Sequence, residues 1–243
     1  IAGLSPLTGL YAAFVVGLVA SVCGGRPGMI SGATGAVAVV IAALALSHGP
    51  EYVFAAVILA GLLELAAGFL RLGKLMRLVP QPVIFGFVNG LAIIICTSQI
   101  DQFKTVSGNW LAGTELAGFA VLVALAMVII WRLPRLTRAV PASLVAILVV
   151  FAIVALFGIE TKTVGDITSI QGGFPPFHVP QVPLNLETFL VIFPYAAIVA
   201  GVGLIESLLT LNIIDEMTET RGRSNQECVA QGTANILSGL FSG

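Results

Sequence analysis

Glu206 and Thr210 are the residues of this sequence with the clearest chemical potential. Glu206 follows a run from Phe189 to Ile205 without a charged side chain, and apolar residues resume after Ser207. A carboxylate in such surroundings is costly unless it is paired or faces a cavity, so its default interpretation is functional. Thr210 lies four residues further on, which places its hydroxyl group on the same helical face. The alternative is a neutral structural carboxyl group that hydrogen-bonds across helices.

A second chemical feature is the segment from Arg26 to Val40, which reads RPGMISGATGAVAVV. A stretch rich in Gly and Ser precedes a short apolar helix that is predicted to begin near Thr34. Non-helical backbone at membrane depth is tolerated only where it is buried in protein or lines a cavity. The first turn of such a half-helix presents free N–H groups, which favours an anion site built from backbone. A re-entrant loop or a kinked span with close packing remains the alternative.

Other polar residues lie within or beside apolar segments. For Glu64 we favour a structural role, protonated or paired between helices, with a proton relay as the alternative. The charged residues from Asp215 to Glu227 are predicted to form a solvated connection. Spaced glycines predict close helix contacts at Gly61, Gly68, Gly86 and Gly90.

Composition indicates a membrane protein. The chain has 243 residues, of which 58% are hydrophobic and 9% charged, and its mean hydropathy is +1.05. A soluble domain of this size needs more charge to cover its surface. The net charge of −1 argues against a nucleic-acid partner. The cysteines Cys23, Cys96 and Cys228 lack a paired spacing and are predicted to be small buried apolar residues.

The sequence shows no pattern typical of an enzyme. The apolar segments lack paired catalytic carboxylates, a Ser/His arrangement and a metal-ligand cluster, so we expect no catalysis, no cofactor and no metal site. The two histidines, His48 and His178, fall in predicted connections. Because the chain begins with Ile1 and has no signal peptide, we expect it to be an internal part of a longer protein.

Apolar runs predict a polytopic helical protein. A crossing helix needs about 20 mostly apolar residues, so the second run is too short to cross by itself. The Pro- and Gly-rich stretch from Gly158 to Glu187 is predicted to be a loop. The predicted segments are Gly9–Cys23, Gly35–Ser47, Tyr52–Leu72, Pro82–Ile100, Leu116–Trp131, Ala142–Phe157, Thr188–Ile214 and Gln226–Phe241.

The basic residues assign the two sides of the membrane. If the spans alternate and the short segment Gly35–Ser47 reaches the opposite face, most of them fall on one side, and only Lys104 and Lys162 fall on the other. The positive-inside rule makes the arginine-rich side cytoplasmic. The residues of that side are Arg26, Arg71, Lys74, Arg77, Arg132, Arg135, Arg138, Arg221 and Arg223.

Five passages of the chain carry a family resemblance. They are IAGLSPLTGLYAAF (1–14), GGRPGMISGATGAVAVV (24–40), GFLRLGKLMRLVPQPVIFGFVNGLAI (68–93), GLIESLLTLNIIDEMT (203–218) and SNQECVAQGTANILSGLFSG (224–243). Together they resemble the sulfate permease (SulP) family of anion transporters. They follow each other in the order found in that family and cover most of the chain outside the variable loops.

The resemblance implies an all-α membrane fold with two inverted repeats of seven segments each, divided into a core and a gate domain. Two half-helices of that fold face each other across the substrate. Residues 1–243 would then form segments two to nine, with the Thr34 helix as segment three and the Glu206 span as segment eight. The first segment, segments ten to fourteen and the cytoplasmic STAS domain are expected outside this sequence.

The resemblance also implies residue roles. Thr34, Gly35 and Ala36 match the start of the third segment, where a threonine contacts the anion in a bicarbonate-transporting member, although Thr34 could serve only as a helix cap. Glu206 and Thr210 match an acid and a threonine that hold sodium in that member. Plant sulfate/proton symporters of the family have a glutamate there that is linked to proton coupling. Burial favours the neutral, protonated form of a carboxyl group. Together with the plant symporters, the glutamate at this position therefore indicates the proton as the coupling ion.

The function implied is a secondary active anion transporter of the cell membrane, expected in a bacterial inner membrane. Proton-coupled sulfate symport by an elevator-type alternating-access mechanism is the leading hypothesis, with a homodimer as in other family members. A sodium-coupled bicarbonate or dicarboxylate transporter, or an uncoupled anion channel or exchanger, is the alternative. An intramembrane enzyme is disfavoured.

Overall fold

The structure is a computed structural model that describes residues 4–32, 34–74, 81–105, 108–137, 139–159, 161 and 173–241. Lys162, Arg77 and Arg138 of the predicted topology lie outside these residues. Helices account for most of the described chain: α1 (Pro6–Cys23), α2 (Gly35–His48), α3 (Pro50–Phe69), α4 (Gln81–Ile100), α5 (Gly113–Leu136), α6 (Ala142–Phe157), α7 (Leu186–Thr218) and α8 (Ser224–Leu240), with a short 3₁₀ helix at Asp101–Phe103.

Each predicted apolar segment contains a helix, with ends that differ by a few residues. Within the described residues, four helices (α1, α3, α5 and α7) are long and apolar enough to cross a membrane. Of the predicted loop, residues 158, 159, 161 and 173–185 are described and contain no helix or strand, and its last two residues belong to α7. One boundary changes the place of a histidine. His48 was predicted in a connection, but it is the last residue of α2.

Local sequence explains where the first two helices begin. The Ser5 hydroxyl accepts a hydrogen bond from the Leu7 N–H, and Pro6 occupies the first turn of α1, where a missing N–H costs nothing. Thr34 caps α2 in the same way through the Val37 N–H. With 14 residues, α2 is only about 21 Å long, shorter than the hydrocarbon core of a bilayer. It is therefore the half-helix that the sequence predicted.

Two glycines bring α3 and α8 into backbone contact. A Cβ atom on Gly61 would lie 2.6 Å from the Gly232 carbonyl oxygen, and a Cβ atom on Gly232 would lie 2.6 Å from that of Gly61. No side chain larger than hydrogen fits at such a distance. The predicted close contacts are thus present at Gly61, and at Gly68 against Val229.

The described residues show no such contact at two other glycines. A Cβ atom on Gly86 or Gly90 of α4 would meet no atom of the described chain within 4 Å. Glycine spacing alone does not say which helix face meets a partner, so it cannot separate these two cases.

The half-helix is held by apolar contacts to α3 and α7. Leu44 of α2 packs with Val53 and Ala56 of α3 and with Ile192 of α7. One turn away, Ala60 of α3 forms a second cluster with alanine and valine side chains of α7, against which Val37 and Val40 of α2 also pack. These contacts fix the start of α2 relative to the middle of α7.

Helix ends gather in two groups. The Arg223 N–H donates to the Gly25 carbonyl oxygen (3.0 Å), which joins the end of α1 to the start of α8. At the other ends of the helices, the His178 N–H donates to the Leu240 carbonyl oxygen (2.7 Å), and the His178 ring contacts Glu51. This grouping agrees with the predicted cytoplasmic and external sides.

The described chain divides into two compact units. The first comprises residues 1–95 and 168–243, and the second residues 96–167. The second unit contains α5 packed on α6, and a single antiparallel bridge joins Lys104 to Trp110. All residues discussed below for the functional site belong to the first unit.

The cysteine prediction was correct for burial only at Cys228. Cys23 and Cys96 are exposed at the protein surface, and none of the three forms a disulfide. Both exposed thiols belong to apolar helices, so an apolar neighbourhood in sequence did not mean contact with other protein segments.

Candidate functional site

A cavity of about 490 Å³ lies between α1, α2, α3, α7 and α8. Its walls are mostly apolar, which is usual for a small-molecule site with a few placed polar groups. The polar groups come from the start of α1, the start of α2, the middle of α7 and the inner face of α8. They are Ser5, Thr8, Ser31, Thr34, Glu206, Ser207, Thr210, Gln231, Asn235 and Ser238.

The start of α2 forms one wall of the cavity, where Thr34, Val37 and Ala38 border it. The Thr34 hydroxyl accepts from the Val37 N–H at 3.4 Å, and the Thr34 carbonyl accepts from the Ala38 N–H at 3.0 Å. Gly35 is not among the bordering residues, but the N–H groups of Gly35 and Ala36 belong to the first turn, where a helix offers no carbonyl partner. Free N–H groups and the positive end of the helix dipole make this wall suitable for an anion.

Oxygen acceptors line the adjoining wall on α7. The half-buried Glu206 carboxyl group lies within hydrogen-bonding range of the Thr34 hydroxyl. Its Oε2 atom is buried and has no hydrogen-bond partner among the described residues. The Thr210 hydroxyl donates to the Glu206 backbone carbonyl at 2.9 Å. The three site residues Thr34, Glu206 and Thr210 therefore border one cavity, although their roles stay predictions.

Polar residues of α8 were missed by sequence reasoning. The Asn235 amide donates through Nδ2 to Glu64 Oε2 at 2.7 Å, so α8 joins the fully buried carboxyl group of α3 to the cavity wall. Gln231 and Ser238 also border the cavity. The available signal was the unusual density of amide and hydroxyl side chains in α8, which reads SNQECVAQGTANILSGL.

An ion pair between Arg26 and Asp215 anchors the segment before α2. Arg26 is buried and forms an ion pair with Asp215 at the end of α7, and it also donates to Thr220 Oγ1 at 2.7 Å. Arg26 additionally hydrogen-bonds the Thr218 hydroxyl. The prediction of a solvated connection was therefore wrong for Asp215, because its carboxylate is the partner of a buried guanidinium group.

The same prediction was wrong for Glu227, which is 2% exposed. Its Oε2 accepts from the Gly25 N–H, and its Oε1 accepts from the Gln231 Nε2, both at 2.8 Å. Gln231 in turn accepts from the Ser31 hydroxyl at 2.8 Å. This chain of hydrogen bonds runs from α8 to the residues that lead into α2, and it holds the start of the half-helix in place.

Metal-ligating residues do not cluster in the described part of the chain, where no three of His, Cys, Asp and Glu approach each other as a metal site requires. His178 contacts Glu51 at 2.9 Å, and His48 contacts the Ser47 hydroxyl at 2.8 Å, both away from the cavity.

A short half-helix whose start borders a cavity together with a half-buried acid, within a bundle of apolar helices, is typical of a multi-pass membrane protein of the transporter class. The model of the sulfate permease family matches residues 1–243. The chain therefore belongs to the sulfate permease family, and the resemblance seen in the sequence is confirmed.

Individual relatives agree with this assignment. The putative sulfate transporter YbaR of Bacillus subtilis is 47% identical over 243 residues, which are 100% of this chain and 49% of that protein. The bicarbonate transporter BicA of a Synechocystis strain is 35% identical over 258 residues, which cover 97% of this chain and 45% of that protein. The chain thus spans about half the length of these relatives.

A solved structure confirms the fold. The chain is similar to the transmembrane domain of a cyanobacterial bicarbonate transporter BicA, with a TM-score of 0.83 and 31% identity, and it covers 66% of that domain. The predicted inverted-repeat transporter fold is therefore correct. The membrane location is confirmed as well. Four described helices are long and apolar enough to cross a membrane, and the family match agrees with a multi-pass protein of the cell membrane.

Proposed function

We propose that the full-length protein is a secondary active transporter that moves sulfate together with protons into the cell. The observation that carries this proposal is that the α2 start and the Glu206 carboxyl group border one cavity side by side, with Thr34 within hydrogen-bonding range of Glu206. One wall suits an anion, and the other suits a proton or a cation. The name of the 47% identical relative, a putative sulfate transporter, supports sulfate as the anion.

Electrostatics gives a reason for coupling at this site. Two unit charges about 5 Å apart interact by about 3 kcal/mol at an effective dielectric constant of 20. An anion at the start of α2 would be repelled by an ionised Glu206 by an energy of this order. Protonation of Glu206 removes the repulsion, so the anion and the proton bind best together. Joint binding of both ligands is the requirement for symport.

The neutral character of the donor wall suits a carrier. Thr34, Gly35 and Ala36 offer a hydroxyl and backbone N–H groups, but no full positive charge. Such donors bind an oxyanion through several hydrogen bonds of modest net strength. A carrier must also release its substrate on the far side of the membrane, which very tight binding would prevent.

We propose alternating access of the elevator type for the movement itself. The two compact units of the described chain support this idea, because the site residues all lie in the first unit. The first unit would carry the substrate, and the second would belong to the static scaffold. A homodimer formed through the scaffold is part of the same proposal.

Sodium-coupled bicarbonate transport is the second candidate. It is favoured by the 35% identical relative and by the structural match, both of which are named bicarbonate transporters. The Glu206 carboxylate and the Thr210 hydroxyl are oxygen ligands that a sodium ion would accept. An uncoupled channel or exchanger is the remaining alternative.

Uptake into liposomes separates these candidates. The full-length protein is reconstituted, and labelled sulfate or bicarbonate is supplied with inward proton and sodium gradients that are varied separately. The proposal predicts saturable sulfate uptake that is driven by external acid and is indifferent to sodium. Sodium-driven bicarbonate uptake would support the second candidate, and non-saturating flux without any gradient dependence would support a channel.

A further inference from the structure

The Glu64 side chain is the most completely buried acid in the described part of the chain. It belongs to α3 and has no exposed surface. Its Oε2 accepts from the Asn235 Nδ2 at 2.7 Å, while its Oε1 has no hydrogen-bond partner among the described residues. Buried polar groups are normally paired, so a half-paired acid requires an explanation.

The surroundings of Glu64 connect it to the site. A Cβ atom added to Gly203 would lie 3.0 Å from Glu64 Oε1, so the acid packs directly against α7. Gly203 borders the cavity one helical turn before Glu206. Asn235 borders the same cavity from α8. Glu64 thus lies behind the cavity wall and contacts it on two helices.

The Asn235 amide has a defined orientation because of this contact. An amide group has one donor end and one acceptor end. Glu64 accepts from the donor end, so the Oδ1 atom is the end left for other partners. The cavity is therefore bordered by Asn235, whose donor end is already engaged, and by Glu206, whose buried Oε2 has no hydrogen-bond partner among the described residues.

We infer that Glu64 is a positioning residue for the coupling ion. It holds the Asn235 amide so that Oδ1 serves, together with Glu206, as an acceptor for a hydrated proton or a sodium ion. This inference rests on the proposed function and adds Asn235 to the ion site. Glu64 itself does not touch the ion.

Other titratable groups near this arrangement are few. Cys228 of α8 lies near both Glu64 and Glu227, and Glu206 follows Gly203 on α7. The buried Arg26 is engaged by Asp215 at the end of α7. Within the described residues, the partner of Glu64 is therefore an amide and not a cation.

Coupling-ion titration of reconstituted full-length protein tests the inference. Glu64→Gln allows the Asn235 amide to turn over, and Asn235→Leu removes the acceptor. Each change should weaken the apparent affinity for the coupling ion about five- to tenfold, as expected for one lost hydrogen bond or ligand. For a proton, the external pH of half-maximal uptake should fall by roughly 0.7 to 1 unit. The double variant should show no larger shift than either single variant, because both changes act through one amide.

Matched measurements separate the possible outcomes. Glu51→Gln changes an acid of the same helix that contacts His178 outside the cavity, and it should leave the ion titration unchanged. A purely structural role of Glu64 would lower the yield of folded protein and the maximal rate of uptake, while the external pH of half-maximal uptake stays constant. This result would overturn the inference. If Glu64→Gln does not fold, Asn235→Leu decides alone.

The same experiment distinguishes this inference from the proposed function. Uptake by the unmodified protein with both gradients is measured first, together with Glu206→Gln. Suppose that Glu206→Gln abolishes coupled uptake, but that Glu64→Gln and Asn235→Leu leave the apparent affinity for the coupling ion unchanged. This result contradicts only the role of Glu64. Absence of coupled uptake in the unmodified protein contradicts both.

Discussion

At the scale of residues, Thr34 links the two walls of the site. Its hydroxyl accepts from the Val37 N–H and lies within hydrogen-bonding range of the Glu206 carboxyl group. The cap and the anion-binding role are therefore compatible, because one oxygen can accept while its hydrogen is donated. In the proposed function, a bound anion would compete with Glu206 for that hydrogen, which would tie the state of the acid to the presence of substrate.

Replacement of Thr34 tests this link. Thr34→Val keeps the shape of the side chain but removes the hydroxyl group. Because one hydrogen bond is worth about 1 kcal/mol, we expect the KM for sulfate to rise roughly fivefold. Thr34→Ser restores a hydroxyl and should be close to the unmodified protein. Initial uptake rates at graded sulfate concentrations measure the effect, and equal KM values for the valine and serine variants would remove Thr34 from the site.

Sequence reasoning reached some site residues and missed others for a physical reason. An acid such as Glu206 stands out because its neighbours along the chain are apolar. Asn235 does not stand out, because it lies in a helix rich in polar and small residues. Its position at the cavity follows from the packing of α8 on α3, which local sequence does not encode. Asp215 and Glu227 were misjudged for the same reason, since their partners are distant in sequence.

At the scale of elements, the α3–α8 contact holds the site together. Gly61 and Gly232 let the two backbones approach, and this approach brings Asn235 to Glu64. Close packing of small residues is a main source of helix association in membranes, where the hydrophobic effect is weak. The helices themselves were predictable from apolar runs, whereas the pairing of their faces was not.

A larger side chain at the contact tests its importance. Gly61→Leu would place side-chain atoms into the backbone of α8, and overpacking of this kind costs about 1–3 kcal/mol or more. We expect a clear loss of thermal stability in detergent, measured by the fraction of monodisperse protein after heating. Gly201→Leu on α7 is the matched control, because a Cβ atom there meets no atom within 4 Å. Equal melting of both variants would show that the contact is not tight.

At the scale of the whole molecule, the helix ends define two sides. Arg26, Asp215 and Arg223 belong to one group, while Glu51 and His178 belong to the other. The charge pattern of the sequence predicted this division, because positively charged connections remain in the cytoplasm. The inverted-repeat architecture came instead from family resemblance, since no composition or periodicity of the chain specifies it.

Thiol labelling tests the assignment of the sides. In a variant without the native cysteines, Gln181→Cys and Arg221→Cys each provide one exposed thiol. In right-side-out vesicles, a membrane-impermeant maleimide should label the first, and it should label the second only after permeabilisation. The opposite labelling pattern would invert the predicted topology.

The measurement that tests the central claim most directly is the proton dependence of sulfate uptake by Glu206→Gln. The variant is compared in liposomes with the unmodified protein and with Glu216→Gln, which changes an exposed acid of the same helix. A glutamine cannot take up a proton, so we expect uptake by Glu206→Gln to become independent of external pH, while the control keeps the full response. Unchanged acceleration by external acid in Glu206→Gln would contradict the assignment of Glu206 as the proton carrier.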